Sequence, residues 1–582
     1  MTPSSDHIDL TNKEFQAALH LVEHTNRSLF LTGKAGTGKS TFLRYICSQT
    51  HKKYVVLAPT GIAAINAGGS TLHSFFKLPF HPLLPDDVKY SPRHIKETLK
   101  YNGEKRKIIR ELELVIIDEV SMLRADIIDF IDKVLRIYSR NMRAPFGGKQ
   151  LLLVGDVFQL EPVVREEDRQ LLLPYYKSMY FFGAHVFEEL PLVSIELKTV
   201  YRQNDERFIN LLDHIRTNQV SDSDLRLLNS RVGAPPTVGD SQLSITLSAR
   251  RDTVDYINEQ HLNALPGEAV SYHGRITGEF PTSSLPTTEV LELKPGAQVI
   301  FVKNDKDRRW VNGTLGMVEA MSVDDDSLPY LSIITEDGDS YDVFEERWSN
   351  MRYTFNEKEK KIEEEEIGTF TQFPVRLAWA ITVHKSQGLT FRQVEIDFSG
   401  GVFAGGQAYV AFSRCQSLEG IRLHEPLRRG DIFVKSEVIR FATQFNDGRL
   451  YRSALSASQA DREYMESIQS FDQGDMDLFL QHFFKAIHLR YDIEKPVVQR
   501  YIRRKLNVVN QLRKEIEALK GEMRKREKFL KKLAAEYTLM GKDCEREHMT
   551  DAAIANYRKA LELYPEAREP KSRLKRLLNV EC

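Results

Sequence analysis

Short apolar runs closed by small or charged residues recur along the first three quarters of the chain, at residues 28–32, 54–57, 112–117, 150–154, 243–247 and 394–398. Runs with little polar alternation, such as 54–57 and 150–154, are what strands buried on both faces require, and LSITL and VEIDF alternate as strands with one polar face do. The segments between them change period. Phe15, Leu19 and Val22 fall on one face of an amphipathic helix that Thr11 or Asn12 can cap, residues 41–49 are helix-compatible, and Phe208, Leu211, Leu212 and Ile215 mark another helical face. Strand followed by helix, repeated, predicts two α/β units. From residue 293 to 341 the pattern shortens to QVIFVKN, GMVEAM and YLSIITED, separated by turns at VNGT and DGD, which predicts a small β-barrel inserted in the second unit. The run EKEKKIEEEE (357–366) reads as a solvated linker or hairpin face. Past Pro426 the alternation ends and only helical periodicity remains.

In that tail, residues 500–533 carry thirteen Lys/Arg against four Asp/Glu. Val509, Leu512, Ile516, Leu519, Met523, Leu530 and Leu533 step by threes and fours, interrupted only at Arg526, as in a coiled-coil seam or one arm of a helical hairpin. Gly541, Ala553, Tyr557, Ala560 and Pro565 then fall at the spacing of one tetratricopeptide repeat. One repeat cannot bury its face alone, so the basic helix is expected to pack against it.

Composition narrows the class. At 582 residues the chain suggests three or four domains, with 41% hydrophobic and 28% charged residues as in globular proteins. No run is apolar enough for a membrane helix, and the N-terminus lacks the features of a signal peptide, so a cytoplasmic, nucleoid-associated place is expected. Cys47, Cys415, Cys544 and Cys582 are too dispersed for a close-spaced metal motif or a disulfide framework. With a net charge of −1, any nucleic acid must be held in a local groove.

The chemistry concentrates after the first run, in GKAGTGKST. Gly33, Gly38, Lys39 and Ser40 have P-loop spacing, with Gly36 and Thr37 inside the loop and Thr41 behind it. Backbone N–H groups of such a loop surround phosphates, the lysine reaches the outer ones, and the hydroxyl ligates Mg²⁺. Asp118 and Glu119 close the third run, placed to hold the Mg²⁺ shell and to deprotonate an attacking water. Gln159 suits a γ-phosphate sensor, and Gln16 faces the nucleotide if the first helix packs beside the loop. Arg202, before a helix, and Arg414, closing one, can reach phosphate across an interface. A hydroxyl and aromatic cluster at Thr71, His73, Ser74 and Phe75 offers phosphate and base contacts, and His384, Lys385, Ser386, Gln387 and Gly388 form a polar cluster suited to phosphate.

Taken in order, the P-loop, APTGIAAINAGGSTLHSFF, IIDEVSML, GDVFQLEPV, VYRQ, VNGTLG, HKSQG and VAFSR resemble the motifs of superfamily 1 helicases, most closely the Pif family of the RecD-like, 5′-to-3′ group. The resemblance covers about residues 8–445. It implies an α/β fold of two tandem RecA-like P-loop domains (1–195, and 196–298 with 372–445), a β-barrel insert at 299–371, and an all-α tail at 446–582 outside the family core. It also implies ATP and Mg²⁺ as cofactors, with Gln16 reading adenine, Asp118 in the Mg²⁺ shell, Glu119 as base, Gln159 as sensor, and Arg202 and Arg414 as paired arginine fingers. Thr60, Gly61, His73, Phe75, His384 and Lys385 fall in segments that contact single-stranded DNA in the family. The expected activity is ATP-dependent 5′-to-3′ DNA unwinding in repair, recombination or replication, acting on single strands and duplex junctions, with a protein partner possible through the tail. An RNA-directed helicase and a nucleotide-switched interaction protein remain open as alternatives.

Overall fold

In the computed structural model, residues 9–578 are described apart from 80, 202–204, 235–242, 326, 357 and 360. The apolar runs become parallel strands. Six form one sheet in the order Ser70–Thr71, Tyr54–Ala58, Leu114–Ile117, Gln150–Val154, Leu29–Gly33, Val193–Leu197. Leu29, Phe30 and Leu31 pair with Leu152, Leu153 and Val154 on one side and with Val193, Ser194 and Ile195 on the other, and all three are fully buried. Parallel pairing brings the carboxyl ends of these strands to one edge, where the loops after Gly33, Ile117 and Val154 meet. The helix Lys13–His24 is capped by Asn12, whose side chain accepts from the Phe15 N–H at 3.0 Å, and it lays Phe15, Ala18, Leu21 and Val22 on the sheet.

The second lobe has four parallel strands in the order Ala380–Thr382, Ile245–Ser248, Val394–Asp397, Ile421–Leu423. The apolar run that begins at Val375 serves two sheets. Val375–Leu377 pairs antiparallel with Gln298–Phe301 in the insert, and Ala380–Thr382 returns to the lobe. The insert therefore extends past residue 371, and it begins before 299, because Val270–His273 pairs with Val290–Leu293 and Arg275–Gly278 joins Lys361–Gln372. Its five-stranded antiparallel sheet encloses its own core of Val299, Phe301, Trp310, Val318, Leu331, Ile333 and Phe373.

The described acidic part of the charged run, residues 361–366, is strand in a long hairpin, Glu346–Asn356 with Lys361–Gln372. This hairpin is docked on the first lobe. The Tyr353 hydroxyl accepts from the Val56 N–H at 2.9 Å and donates to the Val56 carbonyl at 3.1 Å. The short strand Ser70–Thr71 covers only Leu57 and Ala58, so the tyrosine satisfies the backbone pair that this strand is too short to reach.

A first compact unit runs to Asp461 rather than to residue 445, since Tyr451, Ala454 and Leu455 in the early turns of the helix Gly448–Gln473 pack on the first lobe's core. The second unit, from Arg462, has only helices and the turns between them among its described residues. No described helix is long and apolar enough to cross a membrane.

Candidate functional site

The P-loop's shape follows from its glycines. Gly36 (φ 79°) and Gly38 (φ 88°, ψ 17°) are left-handed, and a Cβ at Gly33 would stand 2.4 Å from Thr37 Oγ1 and 2.8 Å from the Leu197 carbonyl oxygen. The helix Lys39–Gln49 starts at Gly38 with no side-chain cap, leaving its first N–H groups for an anion. Lys39 Nζ donates to the carbonyls of Gly33 (2.7 Å) and Lys34 (3.0 Å), and Thr37 Oγ1 donates to Lys34 O at 2.9 Å. Ser40 is exposed and Thr41 half-buried, and both line the cleft with Gly36, Thr37, Gly38 and Lys39.

Asp118 and Glu119 follow the strand Leu114–Ile117. Glu119 is left-handed (φ 51°, ψ 42°), a conformation that costs a non-glycine residue about 1–3 kcal/mol and persists where surrounding contacts impose it. Burial pushes both carboxyls above the usual carboxylate range. For Glu119 the neighbouring Asp118 adds to the shift, Lys39 and Arg414 oppose it, and Asp156 adds again. The site thus holds acids whose ionised forms call for a cation.

The facing wall comes from the second lobe. Gln387 Nε2 donates to Glu119 Oε2 at 2.8 Å and to Gln159 Oε1 at 3.2 Å, bridging a carboxylate and an amide of the first lobe. Arg414 is 1% exposed, with Nε on the Val410 carbonyl (2.9 Å), Nη1 on that of Leu389 (3.1 Å) and Nη2 on Ser413 Oγ (2.9 Å), and it borders the same cleft. The Ala35 N–H of the P-loop donates to Tyr409 Oη at 3.0 Å, and a Cβ on Gly406 would lie 2.2 Å from the Gln159 carbonyl oxygen, so the helix Gln407–Phe412 abuts both first-lobe motifs. The cavity between the walls is about 730 Å³.

Lys39, Ser40, Asp118, Glu119, Gln159 and Arg414 are therefore gathered around one cleft. Arg202 lies outside the described residues. Gln16 is exposed beside the cleft with its amide on the Leu10 carbonyl at 2.8 Å, whereas Asp9, Asn12, Phe15 and Tyr201 line it. Tyr201 is fixed by its N–H on the Gly36 carbonyl (2.9 Å) and its hydroxyl on Asp9 (3.0 Å). Sequence reasoning placed Gln387 among phosphate-binding residues and missed its reach to Glu119, which no local spacing encodes.

The segments expected at DNA are arranged unevenly. Thr60 Oγ1 caps the helix Gly61–Ala67 through the Ala63 N–H (3.3 Å), and Gly61 abuts Ser284, where a Cβ would meet Oγ at 2.6 Å. His73 is half-buried, its imidazole pKa lowered by burial and by Arg124. His384, also lowered by burial, and Lys385 line a shallow groove with Arg250, Arg251, Thr382 and Phe403. Phe403 is 64% exposed and lies nearly parallel to the His384 ring, with centroids 6.3 Å apart, an aromatic face the sequence reading passed over. Phe75 corrects an expectation. It is 2% exposed, packed edge-on to Phe76 and Tyr353 under Lys105 Nζ at 3.2 Å from the ring, and it offers no face to a base.

Comparison with known proteins agrees with this geometry. Residues 11–226 match the family described as PIF1-like helicase. The Mus musculus ATP-dependent DNA helicase PIF1 is 34% identical over 467 residues, covering 79% of this chain, which spans 66% of that relative's length. Bacteroides sp Pif1 in complex with ADP-AlF4 is similar at 37% identity with a TM-score of 0.67, over 77% of this chain and 98% of that one. Bacteroides Pif1 bound to ssDNA is similar at 38% identity with a TM-score of 0.54, over 75% and 97%. A P-loop faced by Glu119, Gln387 and Arg414 across two α/β lobes, together with these likenesses, shows that the chain belongs to the PIF1-like helicase family.

Proposed function

We propose that this chain, an ATP-dependent DNA helicase by family, moves 5′ to 3′ along single-stranded DNA and opens duplexes at junctions. The observation that carries the motor reading is the bridge from Gln387 to Glu119 and Gln159, which makes the position of the second lobe felt at the hydrolytic carboxylate, while the direction rests on the resemblance to the 5′-to-3′ group. ATP phosphates lie on the P-loop N–H groups and Lys39, with the base beside Asn12 and Gln16. Ser40 and Asp118 would hold Mg²⁺, which fits buried acids of raised pKa and supplies neutralisation of phosphate charge. Ionised Glu119 takes the proton of the attacking water, and Gln159 orients that water. Arg414, with Arg202 as second finger, stabilises charge on the transferring phosphate when the cleft is closed.

Closure is favoured by ATP because the arginines gain charge-assisted contacts with the γ-phosphate only across a narrow cleft. Hydrolysis removes those contacts and the lobes part. The strand is gripped by Thr60 and Gly61 on the first lobe and by His384 and Lys385 on the second, with Phe403 as a stacking face. Alternating grip turns each cycle into a step.

Unwinding of matched duplexes bearing a 5′ or a 3′ single-stranded overhang, in DNA and in RNA, tests the proposal. Activity on the 5′-tailed DNA substrate is expected. Activity confined to the 3′-tailed substrate overturns the direction, and preference for RNA overturns the substrate.

A further inference from the structure

The long helix Pro496–Arg546 does different work along its length. Its last turns belong to the tetratricopeptide-like pair, where a Cβ on Gly541 would stand 2.5 Å from the Tyr557 ring and Ala553, Tyr557 and Ala560 are buried against it. The basic helix is thus itself the first helix of the repeat, and Arg573 ties the following helix Arg568–Leu578 to Glu545 at 2.8 Å. Near the start, Lys505 pairs with Asp472 at 2.6 Å. Between these anchors, from residue 506 to 529, every residue except Val509 and Gly521 is exposed, including Leu512 (52%), Ile516 (51%), Leu519 (59%) and Met523 (71%).

A merely solvated helix has no use for apolar side chains in register. Val509, Leu512, Ile516, Leu519 and Met523 step by threes and fours, giving Val509, Ile516 and Met523 the a positions of a heptad and Leu512 and Leu519 the d positions. β-Branched residues at a, here Val509 and Ile516, with leucine at d favour two parallel strands. The flanking charges point the same way. Position g carries Glu515 and Glu522, and position e carries Arg513 and Lys520. In a parallel pair Glu515 meets Lys520 of the second copy, twice by symmetry. An antiparallel pair sets glutamate against glutamate and lysine against arginine or lysine. Lys505 and Arg526 at d, and the like-charged meeting of Glu522 with Glu527, bound the seam at either end. Lys514, Arg524, Lys525 and Lys528 fall on the outer b, c and f positions, so the basic charge faces away from the seam.

We propose that residues 506–525 form a parallel, in-register two-stranded coiled coil with the same segment of a second copy of this chain. The segment is already helical, which lowers the ordering cost of pairing, and the short seam makes association depend on concentration.

The test is sedimentation equilibrium of the full chain from the nanomolar to the high micromolar range. The mass is expected to move from 67.0 kDa towards twice that value. Ile516→Glu with Leu519→Glu, both on exposed positions, is expected to hold the monomer mass with helix content and ATP turnover unchanged. Glu515→Lys alone is expected to raise the dimer Kd at least about tenfold, and addition of Lys520→Glu to restore it. Leu519→Cys with oxidised glutathione as the oxidant is expected to give a disulfide-linked dimer that the parent chain does not. A chain that stays monomeric throughout, or a dimer indifferent to the glutamate substitutions, overturns the proposal. A monomer whose duplex-DNA affinity falls on replacing Lys514 and Lys525 does so too, and makes the segment a nucleic-acid contact instead.

Discussion

The first-lobe wall of the nucleotide cleft is made chiefly of backbone, with left-handed Gly36 and Gly38, an uncapped helix start, and Lys39 held on two loop carbonyls. The second-lobe wall is made of side chains, Gln387 and Arg414, that must cross from another sheet. A backbone cradle is shaped chiefly by its own glycines, although its Ala35 N–H also rests on Tyr409 of the other lobe. A side-chain wall reaches its targets only while the lobes are close. Phosphate binding therefore belongs to the first wall and the coupling of hydrolysis to lobe position to the second.

Substitutions can break this division. Lys39→Ala removes the lysine at the phosphate-reaching position of the loop, and DNA-stimulated ATP turnover is expected to fall to background; normal turnover would refute the first wall's role. Arg414→Lys keeps the charge but not the fork, and turnover is expected to drop by about 10³ or more with nucleotide affinity changed far less. An equal loss of affinity would move Arg414 to the binding side.

Gln387→Ala is milder and sharper. Its amide donates to Glu119, and a hydrogen bond to the charged form favours ionisation, against the burial that raises this carboxyl. Without it the Glu119 pKa rises further, so the acid limb of the pH–rate profile, where protonation of the base stops hydrolysis, is expected to move to higher pH. An unmoved limb would show that the bridge does not act on the base.

The smallest effect concerns the insert. Tyr353→Phe leaves the Val56 N–H and carbonyl without their partner, a cost of about 1–3 kcal/mol. A lower Tm with intact ATP turnover in the absence of DNA is expected, and an unchanged Tm would mean the hairpin docks by its apolar contacts alone.

How legible these features were follows from how local they are. The P-loop and the Asp118–Glu119 pair are fixed by neighbours in sequence, and the expected strand-to-loop context is present. Gln387 reaches Glu119 across 268 residues, so composition could mark it as polar without giving it a target. Phe75 has the residue type of a stacking platform, but helix packing turns it inward beneath Lys105. Tyr353 stands in a hairpin whose other strand is dominated by charge, and the bend that sends Val375–Leu377 and Ala380–Thr382 to different sheets lies inside one strand-like run, VRLAWAIT, with no turn residue to mark it. In the tail, the repeat spacing was readable, whereas the identity of its first helix with the end of the basic helix required the full length of Pro496–Arg546.

ATP binding and ATP hydrolysis should be separable, with Glu119 carrying only the second; Glu119→Gln with DNA present, assayed for nucleotide affinity and single-turnover hydrolysis on the same preparation, decides this. The glutamine keeps an oxygen for Gln387 but cannot take a proton. Affinity near that of the unaltered chain with hydrolysis lost is the predicted result, and hydrolysis at the unaltered rate would contradict it.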